Sequence, residues 1–232
     1  MRKKGFVLLD LDDTILDFQK AEKRAFDEAF SQLGVESTEE LLTRYGQINR
    51  RCWEMLERGE MRREEILVHR FRLLFEERGL TLSPEETQRR YEDLLCQGHF
   101  FVSGAEALLA ELHGKYPLYL LSNGNLRTQE GRLRSAGIAP LFEDIFISEV
   151  MGYNKPSRAY FDACFAQIPG FDATRAVMVG DSLTSDILGG INAGVKTCWF
   201  NPRGMPGRED IRPDHEIRAL AELPPLLEKL FA

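Results

Sequence analysis

Polar side chains that could do chemistry follow several apolar runs of the chain, at the points where those runs end. In an open α/β sheet, ligands bind beyond the carboxyl ends of the strands, so residues that end separate strands can converge on one edge. We therefore expect four aspartates, one hydroxyl group and one lysine to meet there. They are Asp10, Asp12, Ser122 with the adjoining Asn123, Lys155, Asp181 and Asp186.

The charge of these residues indicates a bound cation. Two unit charges about 4 Å apart repel by about 4 kcal/mol at an effective dielectric constant near 20, so several converging carboxylates need more positive charge than one lysine supplies. Oxygen ligands without His or Cys suit Mg²⁺ better than zinc. The alternative is that these residues are ordinary acids and turn formers of separate loops, which are common where strands end.

The apolar runs predict the sheet that would position these residues. Continuous runs without alternation are typical of strands buried on both faces of a parallel sheet. Amphipathic segments lie between the runs, so strand and helix alternate, which predicts a doubly wound α/β fold with a mainly parallel sheet. The predicted strands are 5–10, 116–122, 144–148, 176–180 and 197–201. The predicted helices of this part lie near 104–114, 127–137, 157–168 and 184–193.

An all-helical segment interrupts this pattern after the first strand. Residues 18–99 carry no strand signal and place apolar residues at three- and four-residue spacing, so we expect an inserted helical cap. Ser83 predicts a helix start and Gly79 a helix end within it. The α/β catalytic core would then comprise residues 1–17 and 100–232.

Composition limits the partners of this chain. Its 232 residues carry a formal net charge of −7. Binding to a polymeric nucleic acid relies on Lys and Arg neutralising several phosphates, so this charge argues against such a partner and leaves single nucleotides open. No segment is long and apolar enough to predict a membrane span. The four cysteines are far apart and form no CxxC pair, which indicates reduced thiols in a cytoplasmic protein.

The polar clusters also resemble a known set of motifs. Asp10-Leu11-Asp12-Asp13-Thr14, Ser122, Lys155 and the GDSLTSD segment 180–186 resemble the four motifs of the haloacid dehalogenase superfamily. The resemblance spans the whole chain and implies a Rossmann-like core with a helical insertion after the first strand, called a type 1 cap. It also implies Mg²⁺ as the cofactor and a small phosphorylated metabolite as the substrate.

The resemblance implies a role for each motif residue. Asp10 would attack phosphorus and become an aspartyl-phosphate, and Asp12 would protonate the leaving oxygen and later deprotonate water. Ser122 and the amide group that follows at Asn123 would hold a phosphoryl oxygen, while Lys155 would place positive charge against the same group. The implied magnesium ligands are Asp10, the backbone carbonyl of Asp12, Asp181, and Asp186 directly or through water.

Two positions narrow the expected activity within this superfamily. Dehalogenases of this fold release halide without an acid and generally lack the second aspartate, so Asp12 favours phosphate chemistry. Mutase-like members usually carry an adjacent acidic pair where this chain has Gly180-Asp181, which favours a phosphatase. Residues 180–202 and the DLDDTILDF segment resemble the bacterial pyrimidine 5′-nucleotidases of the YjjG type. That resemblance implies a nucleoside 5′-monophosphate substrate, with pyrimidine nucleotides, noncanonical ones included, as the expected class.

Other functions stay open from the sequence. A sugar-phosphate phosphatase, another small-metabolite phosphatase or a phosphomutase would use the same site with a different leaving group. A binding or regulatory protein could keep this fold without turnover, although every motif residue is present. Phe18, Trp53, Tyr91 and Phe100 could stack on a base, but aromatic residues at helical spacing more often belong to a core. The sequence indicates neither the residues that select the substrate nor the oligomeric state.

Some residues near the motifs have structural interpretations. Thr14 is expected to hydrogen-bond within the loop that shapes the turn after Asp10. Gly189 and Gly190 are expected to allow close packing, and Gly194 to end a helix, rather than to form a phosphate-binding loop.

Overall fold

The computed structural model describes residues 5–232. The chain forms two compact units. The first comprises the chain up to Phe18 together with His99–Ala232, and the second is Gln19–Gly98. Among the described residues, no helix combines the length and the apolarity needed to cross a membrane.

The first unit is built around a parallel sheet. Its strands within the described residues are β1 Phe6–Leu9, β2 Leu118–Ser122, β3 Asp144–Ile147, β4 Ala176–Gly180, β5 Lys196–Phe200 and β6 His215–Ile217. They lie in the order β3-β2-β1-β4-β5-β6, and each neighbouring pair is parallel. This order is that of a doubly wound sheet, so the predicted fold class is confirmed.

Strand β1 shows why the apolar runs lack alternation. Val7 and Leu9 pack into one hydrophobic cluster, whereas Phe6 and Leu8 pack into another. Successive side chains of a strand point to opposite faces, so both faces of this sheet are covered. A strand covered on both faces needs apolar residues at every position, which is the pattern the sequence carries.

The second unit, Gln19–Gly98, is helical. Its helix α3 ends at Gly79, which adopts the left-handed conformation with φ 62°. Ser83 caps α4 by accepting a hydrogen bond from the backbone N–H of Glu86. Both helix boundaries were predicted from these residue types. The helices are α1 Phe18–Gln32, α2 Glu39–Glu57, α3 Arg63–Arg78 and α4 Pro84–Leu95.

Aromatic rings form the centre of the helical unit. Tyr45 lies against Phe71 and Tyr91, with ring centroids 5.0 Å and 5.7 Å apart, and Phe26 packs on Tyr45 at 4.8 Å. All four side chains are fully buried. Tyr91 is therefore a core residue, and the interpretation of it as part of a helical core is confirmed.

The helices of the first unit largely alternate with its strands along the chain. They are α5 Ala105–Leu112, α6 Leu126–Ala136, α7 Ser148–Met151, α8 Arg158–Phe165, α9 Leu188–Ala193 and α10 Leu223–Leu230. One predicted helix, near 184–193, differs because residues Leu183–Ile187 form a π-helical turn before α9 begins. The Ser182 hydroxyl accepts from the Ser185 backbone N–H at the start of this turn, at 3.2 Å. Such π-helical turns are frequent at functional sites.

The sequence pattern did not predict strand β6. It has only three residues, of which His215 is partly exposed and Glu216 is exposed. Ile217 alone is buried, against the hydrophobic cluster that contains Val7. Pairing with β5 creates this strand, and no local apolar run marks it.

The glycines after the last acidic motif serve packing, as predicted. A Cβ atom on Gly189 would lie 2.5 Å from the Phe161 ring, and one on Gly190 would lie 2.7 Å from Thr197. Gly194 ends α9 with a φ of 74°. The interpretation of these glycines as close-packing and helix-end residues is confirmed.

The strand order places β1 and β4 side by side at the centre of the sheet. From β1 the chain adds β2 and β3 on one side, and it then crosses to add β4 and β5 on the other. In open α/β sheets, ligands bind at such a switch point, beyond the carboxyl ends of the strands. The residues that follow β1 and β4 are therefore the first place to look for a site.

Candidate active site

Asp10 lies at this switch point. It follows β1 directly, and its backbone N–H donates to the carbonyl of Val179 in β4 at 2.9 Å. The side chain is buried, with 6% of the residue exposed. The two central strands thus hold the Asp10 main chain at the carboxyl edge of the sheet.

Two side chains hold the Asp10 carboxylate. Lys155 donates from Nζ to Oδ1 at 2.6 Å, and the Thr14 hydroxyl donates to Oδ2 at 3.2 Å. Thr14 was expected to serve the loop after Asp10, and the structure shows its hydroxyl bonded to the carboxylate itself. Both oxygens of Asp10 are therefore oriented by a buried donor.

Lys155 joins two acidic segments of the chain. Its Nζ also donates to Oδ1 of Asp186 at 2.6 Å and to the carbonyl of Leu121 at 2.7 Å. Asp186 accepts a further hydrogen bond at Oδ2 from the backbone N–H of Ser182, at 3.1 Å. Burial disfavours the charged ammonium, but the carboxylates of Asp10 and Asp186 outweigh it and raise the pKa of Lys155 above its ordinary value.

Three carboxylates converge around this lysine. Within the described residues, Asp10, Asp181 and Asp186 each offer an oxygen within 4.8 Å of the other two. Burial, together with the Asp186 carboxylate, raises the pKa of Asp10 to about 8. Burial and the two neighbouring carboxylates also raise the pKa of Asp181 well above its ordinary value. One lysine cannot neutralise three carboxylates, so the group favours binding of a cation.

The chemistry of this donor set fits Mg²⁺. The ligand atoms are carboxylate oxygens, and no cysteine or histidine belongs to the group among the residues described. Mg²⁺ prefers a few carboxylates together with water and substrate oxygens, whereas zinc sites use His or Cys. The Asp181 main chain is also fixed, because the Trp199 indole donates from Nε1 to its carbonyl at 2.8 Å.

The carboxylate of Asp12 lies outside the three-carboxylate group. It forms an ion pair with Nη1 of Arg132 through Oδ1, and it accepts from Nε2 of Gln129 through Oδ2 at 2.6 Å. The Asp12 side chain is therefore not placed to contact a cation bound by Asp10, Asp181 and Asp186. Coordination of the metal by the backbone carbonyl of Asp12 stays a prediction.

Ser122 and Asn123 come to the same edge of the sheet. The Ser122 hydroxyl oxygen accepts from the backbone N–H of Gly124 at 3.1 Å and from Nε2 of Gln129 at 2.8 Å. The Asn123 side chain instead forms two hydrogen bonds with the main chain of Lys155. It donates to the Lys155 carbonyl at 2.9 Å and accepts from the Lys155 N–H at 2.8 Å. The Asn123 side chain thus positions Lys155.

Gln129 and Arg132 were missed by reasoning from the sequence. They lie on α6, where each reads as an ordinary polar residue of an amphipathic helix. In the structure Gln129 is 2% exposed and Arg132 is 0% exposed. One signal was present: positions 129, 132 and 133 share a helix face at three- and four-residue spacing, and Leu133 is apolar.

Two glycines allow the close approach of these side chains. A Cβ atom on Gly180 would lie 2.2 Å from Oδ2 of Asp186, and one on Gly124 would lie 2.3 Å from Nε2 of Gln129. Neither distance is compatible with a side chain. Glycine at these two positions is therefore a steric requirement of the site.

The remaining aromatic candidates are distributed over both units. The Phe18 ring lies against the Arg132 guanidinium, with 5.5 Å from Cζ to the ring centroid. In the helical unit, Arg63 lies over the Trp53 ring at 5.7 Å. Phe100 accepts a hydrogen bond at its carbonyl from the Asp17 N–H at 2.7 Å.

The chain resembles known proteins along most of its length. Its most similar relatives include the HAD-hydrolase YfnB of Bacillus subtilis, 40% identical over 96% of this chain and 95% of that protein. The pyrimidine 5′-nucleotidase PynA of Streptococcus pneumoniae is 35% identical over 97% of this chain and 95% of PynA. The pyrimidine 5′-nucleotidase YjjG of Escherichia coli is 30% identical over 98% of this chain and 99% of YjjG.

A solved structure and a family model agree with these relatives. The crystal structure of YfnB from Bacillus subtilis bound to magnesium superposes with a TM-score of 0.92, covering 97% of this chain and 99% of that chain at 40% identity. The model of the haloacid dehalogenase-like hydrolases matches residues 6–194. The chain therefore belongs to the haloacid dehalogenase-like hydrolase family.

Proposed function

We propose that this hydrolase is a Mg²⁺-dependent phosphomonoesterase that acts on nucleoside 5′-monophosphates through an aspartyl-phosphate on Asp10. The observation that carries the proposal is the buried Asp10 carboxylate, held by Lys155 at 2.6 Å within the three-carboxylate group. A second aspartate, Asp12, lies two residues away and is linked to Ser122 through one amide. Relatives named as pyrimidine 5′-nucleotidases support the nucleotide substrate.

In the first step, an oxygen of Asp10 forms a bond to phosphorus while the bond from phosphorus to the ester oxygen breaks. Asp12 gives a proton to that ester oxygen, so the nucleoside leaves as an alcohol. Lys155 orients the Asp10 carboxylate for this attack, and Thr14 orients its other oxygen. Asp10 must be ionised to attack, and its raised pKa means that the three-carboxylate group needs positive charge at neutral pH.

In the second step, water attacks phosphorus and the bond from phosphorus to the Asp10 oxygen breaks. Asp12 takes the proton from that water, which returns both aspartates to their starting states and releases inorganic phosphate. Mg²⁺ bound by Asp10, Asp181, Asp186 and the Asp12 carbonyl would supply the positive charge that both steps need on the phosphoryl oxygens.

The phosphoryl group itself would be held by the residues at the end of β2. The Ser122 hydroxyl and the main-chain amide of Asn123 would contact its oxygens, as donors aimed at developing negative charge. Lys155, whose Nζ lies 2.6 Å from Oδ1 of the attacking Asp10, would place its positive charge against the same group. We also propose that the helical unit, residues 18–99 in the predicted division of the chain, acts as the cap and selects the leaving group.

The cysteines support a reducing compartment for this enzyme. In the structure Cys52, Cys164 and Cys198 are free thiols. Disulfides form mainly in oxidising compartments, so these three buried free thiols fit the cytoplasmic location that we propose.

The function is tested by measuring released phosphate. The purified protein is incubated with Mg²⁺ and a panel of pyrimidine and purine 5′-monophosphates, sugar phosphates and p-nitrophenyl phosphate, and Asp10→Asn serves as the control. We expect pyrimidine nucleotides to give the highest kcat/KM and Asp10→Asn to release no phosphate above the blank. A wild type no faster than Asp10→Asn on every compound would overturn the phosphatase proposal. A clear preference for sugar phosphates would overturn only the substrate.

A further inference from the structure

One face of α6 places two buried polar side chains beside the active site. Gln129 and Arg132, one helical turn apart, are 2% and 0% exposed. Nη1 of Arg132 donates to Oε1 of Gln129 at 3.1 Å, so the two side chains also hold each other. Burying an arginine costs free energy unless its charge is paired, and here the pairing is with the Asp12 carboxylate.

A single amide nitrogen links two of the proposed catalytic groups. Nε2 of Gln129 donates to Oδ2 of Asp12 at 2.6 Å and to Oγ of Ser122 at 2.8 Å. An amide nitrogen carries two hydrogens, so these two bonds use both. The position of Asp12 is therefore tied to the position of Ser122 through one side chain.

The same bond orients the Ser122 hydroxyl. Its oxygen accepts from both Gln129 and the Gly124 N–H, and a hydroxyl oxygen has two lone pairs. The remaining capacity of the Ser122 hydroxyl is its own hydrogen, which donates to no group within residues 5–232. Gln129 thus leaves the hydroxyl as a donor, which is the role required toward a phosphoryl oxygen.

We propose that Gln129 and Arg132 are positioning residues for phosphoryl transfer: Arg132 and Gln129 fix the carboxylate of Asp12, and Gln129 also fixes the donor direction of Ser122. The inference rests on the proposed function. It adds that α6, through Gln129 and Arg132, holds the proton-exchanging group Asp12 and the phosphate-binding group Ser122 in one preorganised arrangement. A misplacement of about 1 Å can cost about 10²-fold in rate, so Gln129 and Arg132 matter for catalysis without contacting substrate.

A leaving-group comparison tests the role of Arg132 and Gln129 toward Asp12. A nucleotide releases an alkoxide-like oxygen that needs a proton, whereas 2,4-dinitrophenyl phosphate releases a phenolate that does not. Because kcat/KM reports on steps up to the first bond cleavage, we compare kcat/KM for the two substrates in Arg132→Met and Gln129→Met. We expect a loss of about tenfold or more on the nucleotide and a several-fold smaller loss on the dinitrophenyl ester.

The two variants should differ in phosphate binding. Of the two residues, Gln129 is the one that is hydrogen-bonded to Ser122, so Gln129→Met should also weaken inhibition by inorganic phosphate, while Arg132→Met should leave that inhibition close to wild type. Matched controls are Arg134→Met, an exposed arginine on the same helix, and Gln167→Met, an exposed glutamine elsewhere. Both controls should keep wild-type ratios between the two substrates.

Equal losses on both substrates in Arg132→Met would overturn the proposal, because they would indicate a general structural role. If Arg132→Met does not fold, Arg132→Lys keeps a positive charge at the site and should retain part of the nucleotide activity with the same substrate bias. In an Asp12→Asn background, Arg132→Met should cause little further loss, and a full additional loss would also overturn it. Failure of the proposed function is distinguishable, because wild type would then match Asp10→Asn on both substrates.

Discussion

The Nζ atom of Lys155 lies 2.6 Å from Oδ1 of Asp10, and this bond is one of three that the ammonium group makes inside the protein. An ammonium has three hydrogens, and each has an acceptor among the described residues: Asp10, Asp186 and the Leu121 carbonyl. The main role of Lys155 in this structure is therefore to orient the carboxylates of Asp10 and Asp186. Its effect on a phosphoryl group would come from its charge at short range, or from exchange of one of these bonds.

Removing this lysine should cost both activity and stability. In Lys155→Met, two buried carboxylates lose their cation, and breaking a buried pair typically costs about 3–5 kcal/mol. We expect phosphatase activity to fall to the Asp10→Asn level, and the free energy of unfolding in denaturant to drop, with Mg²⁺ restoring part of the stability. Lys115→Met, at an exposed surface lysine, is the control. Activity within about tenfold of wild type would contradict the orienting role.

Asp12→Asn should separate the two chemical steps. With 2,4-dinitrophenyl phosphate the first step needs no proton, but hydrolysis of the aspartyl-phosphate still needs a base. We expect a burst of dinitrophenolate followed by turnover slowed about 10²–10⁴-fold, and a phosphorylated protein detectable by mass spectrometry. Asp10→Asn should show neither. A slow reaction without a burst would argue against the covalent intermediate on Asp10.

The metal-free protein should lose stability as the pH rises. The pKa of Asp10 is about 8 in the fold against an ordinary 3.8, and that of Asp181 is also raised. The fold binds these protons more tightly than the unfolded chain does. Their contribution to the free energy of unfolding is therefore complete below the ordinary carboxyl pKa of 3.8 and is lost as pH rises through about 8.

Mg²⁺ competes with those protons, so its effect should depend on pH. We expect a saturating Mg²⁺ concentration to raise the Tm more at pH ~8 than at pH ~5.5. Thermal unfolding with and without Mg²⁺ at both pH values measures this difference. Asp181→Asn should lose most of the Mg²⁺ effect and should be more stable than wild type without metal at the higher pH. Equal Mg²⁺ shifts at both pH values would contradict the prediction.

Gly124→Ala should disturb Gln129 without removing any catalytic group. The added Cβ would lie 2.3 Å from Nε2 of Gln129, which must then move. We expect kcat/KM on a nucleotide to fall by about 10-fold or more, with weaker inhibition by inorganic phosphate. Gly46→Ala, at a glycine with no atom within 4 Å of the added Cβ, should keep wild-type activity. Wild-type kinetics in Gly124→Ala would show that the bridge through Gln129 tolerates displacement.

The strands and the acidic groups could be predicted because their signals are local. The run before Asp10 and the run before Asp181 are continuous and apolar, and the doubly wound order brings their ends together. Strand β6 could not be predicted, because only Ile217 of its three residues is buried. Gln129 was missed for a different reason: its partner Asp12 lies 117 positions away in the chain.

The contact between Gly180 and Asp186 constrains how this site could change over evolution. An acidic residue at position 180 would form an adjacent acidic pair with Asp181, but the Cβ atom of any side chain at 180 would lie 2.2 Å from Oδ2 of Asp186. A single substitution at 180 would displace a partner of Lys155 before it could add a new function. A change toward that acidic pair therefore requires Asp186, or the turn that carries it, to move as well, so the packing of two atoms couples positions 180 and 186.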